Sequence, residues 1–237
     1  MKINAITLDG KFYTVADGTL IEVVAPPSVD YGTPLFSDDF TKLADLSGFN
    51  TTQITTGGKV TLINNQYLEC HAPVGAKAEI GHDWPVVEGI KPGQVWTFKG
   101  SLIVVAGGTS ELFLMDIEAD TAPSEAGPRI RRKNGGWGIE QEKFSSSSNN
   151  IQPTSPPVPA FVNGVRYDIL WQSRYHQTDG WHKLTVNGAK VFDTDVDGKR
   201  GKTGPVENLN RFRGGISINS GSAPATVRWF NWAAWVK

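Results

Sequence analysis

Pairs of Asn-Gly or Asp-Gly recur along the chain, and they constrain its fold more than any other feature. The pairs stand at residues 9–10, 17–18, 163–164, 179–180, 187–188 and 197–198. Both residues of such a pair tolerate positive φ, so the pairs favour tight turns between antiparallel strands. Short β-rich runs lie between them, and the best helical candidate is one turn within Asp38–Phe49. We therefore predict an all-β protein.

The predicted strands fall into two groups. Residues 1–24 predict a three-stranded meander, and the proline-containing stretch Ala25–Pro34 predicts a stiff linker. A sheet this small is marginal alone, so the meander should pack on the main body or on a partner. The remainder predicts a two-sheet antiparallel sandwich, because its strands have sandwich spacing. These strands are Gly58–Ile63, Gln66–His71, Ala76–His82, Val95–Val105, Glu111–Glu118, Pro128–Lys133, Gly136–Gln141, Arg166–Tyr175, Gly180–Val186, Gly214–Asn219 and Ala225–Val236.

Composition excludes several classes of function. The 23 basic and 24 acidic residues give a net charge of −1, which favours neither nucleic acid nor anionic lipid as a partner. The single cysteine, Cys70, excludes an internal disulfide. No apolar run reaches the length of a signal peptide or of a membrane span. We expect synthesis in a host cytoplasm without a signal peptide.

Motifs for a bound metal or a cofactor are missing from the sequence. No His/Cys/Asp spacing indicates zinc, and no glycine-rich motif indicates a nucleotide. The run from Asp193 to Gly198 resembles the first half of a calcium loop. However, its twelfth position is Gly204 instead of glutamate, so we expect a solvated loop. We predict no metal and no cofactor.

Charged residues at alternate positions supply the first candidates for a binding site. Asp116 and Glu118 are two apart, so they share one face of a strand. They could contact sugar or form a two-carboxylate pair, and the alternative is a solvated strand face. Arg129, Arg131 and Lys133 also share a face. Together with Trp137 they could line a groove for an acidic glycan, or they could pair with the two carboxylates across strands.

His82 and Tyr175 complete the predicted set. His82 lies three residues after Glu79, so the two point to opposite faces unless Gly81 forms a bulge. Tyr175 shares a strand face with Tyr167, Ile169, Trp171 and Ser173, which predicts inter-sheet core or, alternatively, a platform for sugar rings. The predicted glycan-binding residues are Arg129, Arg131, Trp137, Asp116, Glu118, His82 and Tyr175. No catalytic residue is predicted.

Five stretches carry a resemblance to a known family. PLFSDDF (Pro34–Phe40) resembles an F-x-D-D-F opening strand, and AKAEIGH (Ala76–His82) resembles an R-S-E-L strand. The run Arg166–Phe192 resembles a strand pair with the V-N-G turn. RFRGGISINS resembles an F-K-x-G-I-Y strand, and VRWFNWAAWV resembles a closing strand. In this order they resemble the concanavalin A-like jelly rolls of heparin, alginate and glucuronan lyases, which implies a jelly roll over residues 35–237.

Two departures from this family bear on activity. The resemblance implies a β-elimination that needs a tyrosine or histidine base and a neutraliser of the uronate carboxylate. Where the family has a Q-x-H pair, this chain has Asp116 and Glu118, which would repel a uronate. The tyrosine of the G-I-Y strand is replaced by Ser217 or Asn219. We therefore expect a protein without lyase catalysis.

Extracellular glycan chemistry without a signal peptide suggests a protein carried on a particle. We predict a bacteriophage capsid or tail protein, a structural or decoration protein, with a glycan-binding jelly roll at 35–237. Residues 1–34 would anchor it to other virion proteins, and homo-oligomerisation is left open. The alternative is a polysaccharide lyase or depolymerase acting on an acidic polysaccharide. A third alternative is a plain carbohydrate-binding module.

Overall fold

The structure is a computed structural model. It describes residues 6–8, 11–16, 19–23, 29–107, 111–121, 124–133, 136–141, 149–151, 162–174, 176, 179–194, 208–220 and 223–237. The chain divides into two compact units, Met1–Asp30 and Tyr31–Lys237. The strands are β1 (Ile6–Leu8), β2 (Lys11–Ala16), β3 (Thr19–Val23), β4 (Thr33–Asp39), β5 (Thr51–Ile54), β6 (Lys59–Ile63), β7 (Tyr67–Ala72), β8 (Lys77–Asp83), β9 (Val95–Ala106), β10 (Glu111–Thr121), β11 (Ser124–Ala126), β12 (Pro128–Lys133), β13 (Gly136–Gln141), β14 (Asn149–Ile151), β15 (Arg166–Arg174), β16 (Trp181–Val186), β17 (Ala189–Asp193), β18 (Arg211–Ser220) and β19 (Ala225–Val236).

The first unit is an antiparallel meander in the order β1-β2-β3. Leu8 pairs with Lys11, and Ala16 pairs with Thr19, so two residues connect each pair of strands. These connections coincide with the Asp-Gly pairs of the sequence, which favour two-residue hairpin loops. The predicted N-terminal meander is confirmed. Its predicted role as an anchor stays a prediction.

The second unit contains two antiparallel sheets. The first sheet has the order β14-β13-β12-β10-β18-β8-β5, with β11 paired to β10. The second sheet has the order β17-β16-β15-β9-β19-β7-β6, with β4 paired to β19. A short 3-10 helix, Val86–Glu88, precedes β9. No helix of the described residues is long and apolar enough to cross a membrane. The predicted two-sheet jelly roll is confirmed.

Aromatic side chains fill the space between the two sheets. Alternation along each strand sends every second side chain inward, where large apolar rings bury the most area. Tyr167, Trp171 and Ser173 point inward and are buried, which agrees with core packing and not with a sugar platform. Five of the eight tryptophans are fully buried in this core: Trp96, Trp137, Trp171, Trp229 and Trp232.

The stretch after β4 differs from its prediction. Instead of a helical turn within Asp38–Phe49, the strand continues to Asp39 and turns follow. Asp39 accepts hydrogen bonds from the backbone N–H and the hydroxyl of Thr41. Asp45 accepts the equivalent bonds from Ser47. A carboxylate that binds the backbone two residues on stabilises a turn and competes with a helix.

Candidate functional site

Charged side chains cover the outer face of the first sheet, which is the face turned away from the core. We call this surface the charged face. It is built on neighbouring strands in the order β12-β10-β18-β8-β5, and alternation places its members at every second position. Its described charged and amide side chains are Gln53, Lys77, Glu79, Asp83, Asp116, Glu118, Arg129, Arg131, Arg211 and Arg213.

Arg213 lies at the centre of the charged face. Its Nη2 donates to Glu118 Oε1, and its Nε lies 3.6 Å from Asp116 Oδ1. The side chains of Arg213, Asp116 and Glu118 are 3%, 8% and 1% exposed, so the three charges sit almost entirely out of water. Buried charges of this kind are stable only as pairs, because each one alone would carry a large desolvation cost. Arg213, Asp116 and Glu118 therefore form a buried cluster of ion pairs, which we call the ionic centre.

A second arginine and a glutamine extend this centre toward the edge of the face. Arg211 makes two hydrogen bonds to Asp83, with N–O distances of 2.8 and 3.2 Å, and its Nη1 lies 3.8 Å from Glu118 Oε1. Gln53 Oε1 accepts from Arg213 Nη1 at 2.6 Å and from Lys77 Nζ at 2.9 Å. These contacts connect the four strands β5, β8, β10 and β18 and fix where the cations point.

Glu79 is the third buried carboxyl group of the charged face, at 3% exposure. Burial and the nearby Asp116 carboxylate raise the pKa of Glu79 to about 8. Within the described part of the chain, its Oε2 makes no hydrogen bond. Gly215 faces Glu79 in the strand register, and a Cβ there would clash with the Ala78 carbonyl oxygen, so the close approach of the two strands requires glycine. Because its pKa is raised, the Glu79 carboxyl group is mostly protonated and neutral at neutral pH.

Arg129 and Arg131 lie on the charged face, as their spacing predicted. Arg129 faces Asp116 in the strand register and its guanidinium lies 5.3 Å from the Phe113 ring centroid. Arg131 is only 1% exposed, whereas Arg129 is half-buried and reaches solvent. Ser217, one of the two residues predicted to replace the family's tyrosine, is buried opposite Phe113. The face therefore keeps Arg129 partly accessible beside the ionic centre.

Trp137 does not belong to this face, which corrects its prediction as a groove residue. It faces Arg132 in the register of β12 and β13, so alternation turns it to the core side. The ring is 1% exposed and stacks edge-on against Tyr167 with centroids 5.3 Å apart. Trp137 is a core residue.

His82 also lies on the other side of its strand, and its prediction as a glycan contact is wrong. β8 pairs with β18 without a register shift, so Gly81 forms no bulge and His82 points away from Glu79. The His82 Nε2 lies 2.8 Å from Asp38 Oδ2, and its ring stacks on Phe36. Trp232 Nε1 donates to the same oxygen at 2.6 Å. This cluster ties β4 to both sheets.

Asp116 and Glu118 are buried in ion pairs, so neither forms the solvated strand face that was the alternative. Both carboxylates form ion pairs with arginines of β18, and Asp116 also faces Arg129 of β12, the strand predicted as the partner, in the strand register. Tyr175 and most of the aspartate run Asp193–Gly198 lie outside the described residues. Among the described residues, no group of three or more His, Cys, Asp or Glu could hold a metal ion.

The sequence prediction missed the residues that organise the face. Arg211 and Arg213 lie in the RFRGG stretch, and their alternate spacing carries the same face signal as Arg129 and Arg131. Gln53 lies on β5, a four-residue strand that was not predicted. Glu79 was considered only together with His82. A search for charges of both signs at alternate positions would have found the two arginines.

Comparisons with known proteins identify the fold of this chain. No protein-family model matches the chain, and no curated protein matches it. Many solved structures share its two-sheet architecture. At this level the chain has the jelly-roll fold of polysaccharide lyases and of related sandwiches.

Three particular structures illustrate the likeness. The family 7 alginate lyase A1-II′ superposes with a TM-score of 0.50 at 13% identity, covering 77% of this chain and 85% of the lyase. Cellulose induced protein Cip1 gives 0.56 at 16% identity, with coverages of 84% and 96%. The binding domain of Paraclostridial Mosquitocidal Protein 1 gives 0.55 at 15% identity, with coverages of 86% and 48%. At these identities the likeness shows the fold alone.

Proposed function

We propose that the jelly roll binds an acidic polysaccharide on the charged face and does not cleave it. The observation that carries the proposal is the composition of that face. Among its described side chains, five are cationic (Lys77, Arg129, Arg131, Arg211 and Arg213). The other described ionisable side chains are the carboxyl groups of Asp83, Asp116, Glu118 and Glu79, and the raised pKa of Glu79, about 8, leaves that group mostly neutral at neutral pH. The excess of positive charge attracts an anionic chain.

Access to the charged face differs between its centre and its rim. Arg213, Arg131 and Glu118 are buried, so they cannot contact a polysaccharide directly. They contribute to the electrostatic potential of the face and fix the positions of the neighbouring side chains. Lys77, Arg129 and Arg211 are half-buried and keep part of the side chain in solvent. The Arg129 guanidinium lies over the Phe113 ring, and a planar guanidinium has the geometry to bind a carboxylate with two hydrogen bonds. The polysaccharide would therefore contact the rim.

The lyase alternative needs a tyrosine or histidine base on this face. The chain has four histidines, and the structure describes all of them on other surfaces. His82 and His182 point to the core, His71 contacts Thr226 on the second sheet, and His176 follows β15. Of the tyrosines in the described part of Tyr31–Lys237, none lies on the charged face. These positions support binding without β-elimination.

The test combines a binding assay and a cleavage assay on the full chain. Alginate, glucuronan and heparin are incubated with the protein, and unsaturated uronate is followed by its ultraviolet absorbance. A known alginate lyase is the positive control. Retardation in gels that contain one of these polymers, without a rise in absorbance, is the expected result. A rise would establish the lyase alternative, and the absence of retardation in all three gels would contradict the proposal.

Association with a virus particle remains a separate prediction from the sequence. A distinct compact unit at Met1–Asp30 is compatible with an anchor but does not identify its partner. We expect to recover the full chain on purified particles. Deletion of residues 1–34 should abolish this association. Recovery of the deleted protein on particles would contradict it.

A further inference from the structure

A pocket of about 330 Å³ opens on the outer face of the second sheet, on the far side of the sandwich from the charged face. We call it the outer-face pocket. Strands β9, β15, β16 and β19 build it, and the floor is formed by Leu170 and the backbone at Gly100. The side chains with polar atoms in its lining are Lys99, Ser101, Asp168, Thr185 and Asn231.

The polar lining is arranged for hydrogen bonding to uncharged groups. Ser101 Oγ donates to Asp168 Oδ1, which fixes the carboxylate, and the Asp168 side chain is still 69% exposed. Asp168 and Asn231 can accept from hydroxyl groups, while Asn231 and Thr185 can donate to them. Lys99 and Asp168 contribute one positive and one negative charge to the lining. The pocket is therefore electrically balanced, unlike the charged face.

Aromatic rings flank one side of the pocket. Tyr31 and Trp235 stack with centroids 5.4 Å apart, and the Lys99 ammonium lies 4.2 Å from the Tyr31 centroid and 6.0 Å from that of Trp235. Both rings are half-buried, so each keeps a part of its surface open to solvent. The lysine that lines the pocket is thus held against this pair of rings.

A second aromatic group flanks the pocket beyond Asn231. The neighbouring residue Phe230 carries the Arg166 guanidinium over its ring at 4.3 Å, and Arg166 Nε lies 3.8 Å from Asp168 Oδ1. The chain bulges at this point, because the register of β19 against β9 shifts between Trp229 and Asn231. The shift lets the side chains of Phe230 and Asn231 both reach the outer face.

We propose that the outer-face pocket is a second carbohydrate-binding site, which takes a neutral pyranose unit. The polar lining offers hydrogen-bond partners to the hydroxyl groups of a sugar, and the half-buried Tyr31 and Trp235 rings beside Lys99 add apolar surface next to the lining. Asp168 is held by Ser101 and offers oxygens that accept from hydroxyl groups, and the lining has no excess of positive charge that would favour an acidic sugar. The volume is at the small end of ligand pockets, which fits one or two sugar rings.

The test measures retardation of the full chain in native gels that contain hydroxyethyl cellulose, galactomannan or dextran. We expect at least one neutral polymer to retard the wild type. Trp235→Ala and Asp168→Ala should each weaken that retardation by about tenfold in apparent affinity, as for removal of one central contact. Asp168 is exposed, so its variant should fold even if loss of the Trp235 ring perturbs the sheet.

A matched control separates the pocket from the surrounding surface. Trp181 is a half-buried tryptophan on the same outer face, but its ring lies 4.9 Å from Lys183, which does not line the pocket, whereas Trp235 lies beside the lining residue Lys99. Trp181→Ala and Arg129→Ala should bind the neutral polymer as the wild type does. Equal losses in Trp181→Ala and Trp235→Ala, no effect of Asp168→Ala, or no retardation by any neutral polymer would overturn the proposal. Failure to bind acidic polymers bears only on the charged face.

Discussion

Arg213 shows at the scale of one residue why the charged face is stable. Its guanidinium serves Glu118, Asp116 and Gln53 at once, and nearly all of these groups are buried. Removing one partner from such a group leaves a buried charge without a partner. This lowers the free energy of unfolding by more than the intact group adds to it. The stability of the face therefore depends on the completeness of the group.

We expect Arg213→Met to lower the free energy of unfolding by about 3–5 kcal/mol, because it leaves two buried carboxylates without their shared cation. Arg228→Met is the matched control. Arg228 also pairs with a glutamate, Glu69, at 2.8 Å, but its side chain is 35% exposed. Its loss should cost about 1 kcal/mol or less. Urea denaturation measures both values, and similar costs would contradict the account of the face.

Glu79 predicts a decline in stability as pH rises. Its pKa is near 8 in the folded protein and near 4.5 when exposed, so between these values the folded state holds a proton that the unfolded state releases. Stability should fall by up to about 1.4 kcal/mol per pH unit over this range. Glu79→Gln should remove this component. Denaturant titrations from pH 5 to about 8 test it, and parallel profiles of wild type and variant would contradict it.

His182 predicts the opposite slope at acidic pH. It is fully buried beside Ser173, and burial lowers its pKa to about 3 from 6.5. As pH falls from 6.5 toward 3, the unfolded state takes up a proton that the folded state does not, so stability is lost. His182→Leu should lose less stability over this range. The same denaturant titration at acidic pH tests this, and an unchanged acid slope in the variant would refute it.

At the scale of elements, the Asn187-Gly188 turn sets the register of β16 and β17. Asn187 and Gly188 have φ of 51° and 76°, which matches the paired positive angles of a two-residue hairpin turn. A Cβ at Gly188 would meet no atom within 4 Å, so Gly188→Ala changes the backbone preference alone. We expect a loss of about 1 kcal/mol. Thermal unfolding measures it, with Gly48→Ala as a control that has neither contact nor positive φ; equal effects would contradict this reason.

The elements also show which parts of the fold could be predicted from the sequence. Long alternating runs such as Pro128–Lys133 and Ala225–Val236 coincide with β12 and β19. Short strands such as β5 and β17 were missed, because four or five residues carry too little alternation to stand out. Which face of a strand is inward depends on the partner sheet. That is why Trp137 and His82 were assigned to the wrong side, whereas Arg129 and Arg131 were not.

At the scale of the whole molecule, the two outer faces of the sandwich have different chemistry. Among the described side chains, the first sheet carries more cations than carboxylates on its outer face, and the second carries aromatic rings beside a pocket lined by one cation and one anion. A jelly roll allows this, because each sheet contributes one face to the shared core and leaves the other free. The account therefore predicts that acidic and neutral polymers bind independently, so saturation with one should leave the affinity for the other unchanged in a competition titration.

The central claim is that an acidic polysaccharide binds the charged face through Arg129, a half-buried arginine at the rim of that face. Calorimetric titration of the wild type, Arg129→Ala and Arg228→Ala with alginate oligosaccharides tests it most directly. Both variants remove one half-buried arginine, but only Arg129 lies on the charged face. The account predicts that Arg129→Ala weakens binding about tenfold or more while Arg228→Ala binds as the wild type does. Equal affinities for all three proteins, or a loss confined to Arg228→Ala, would contradict it.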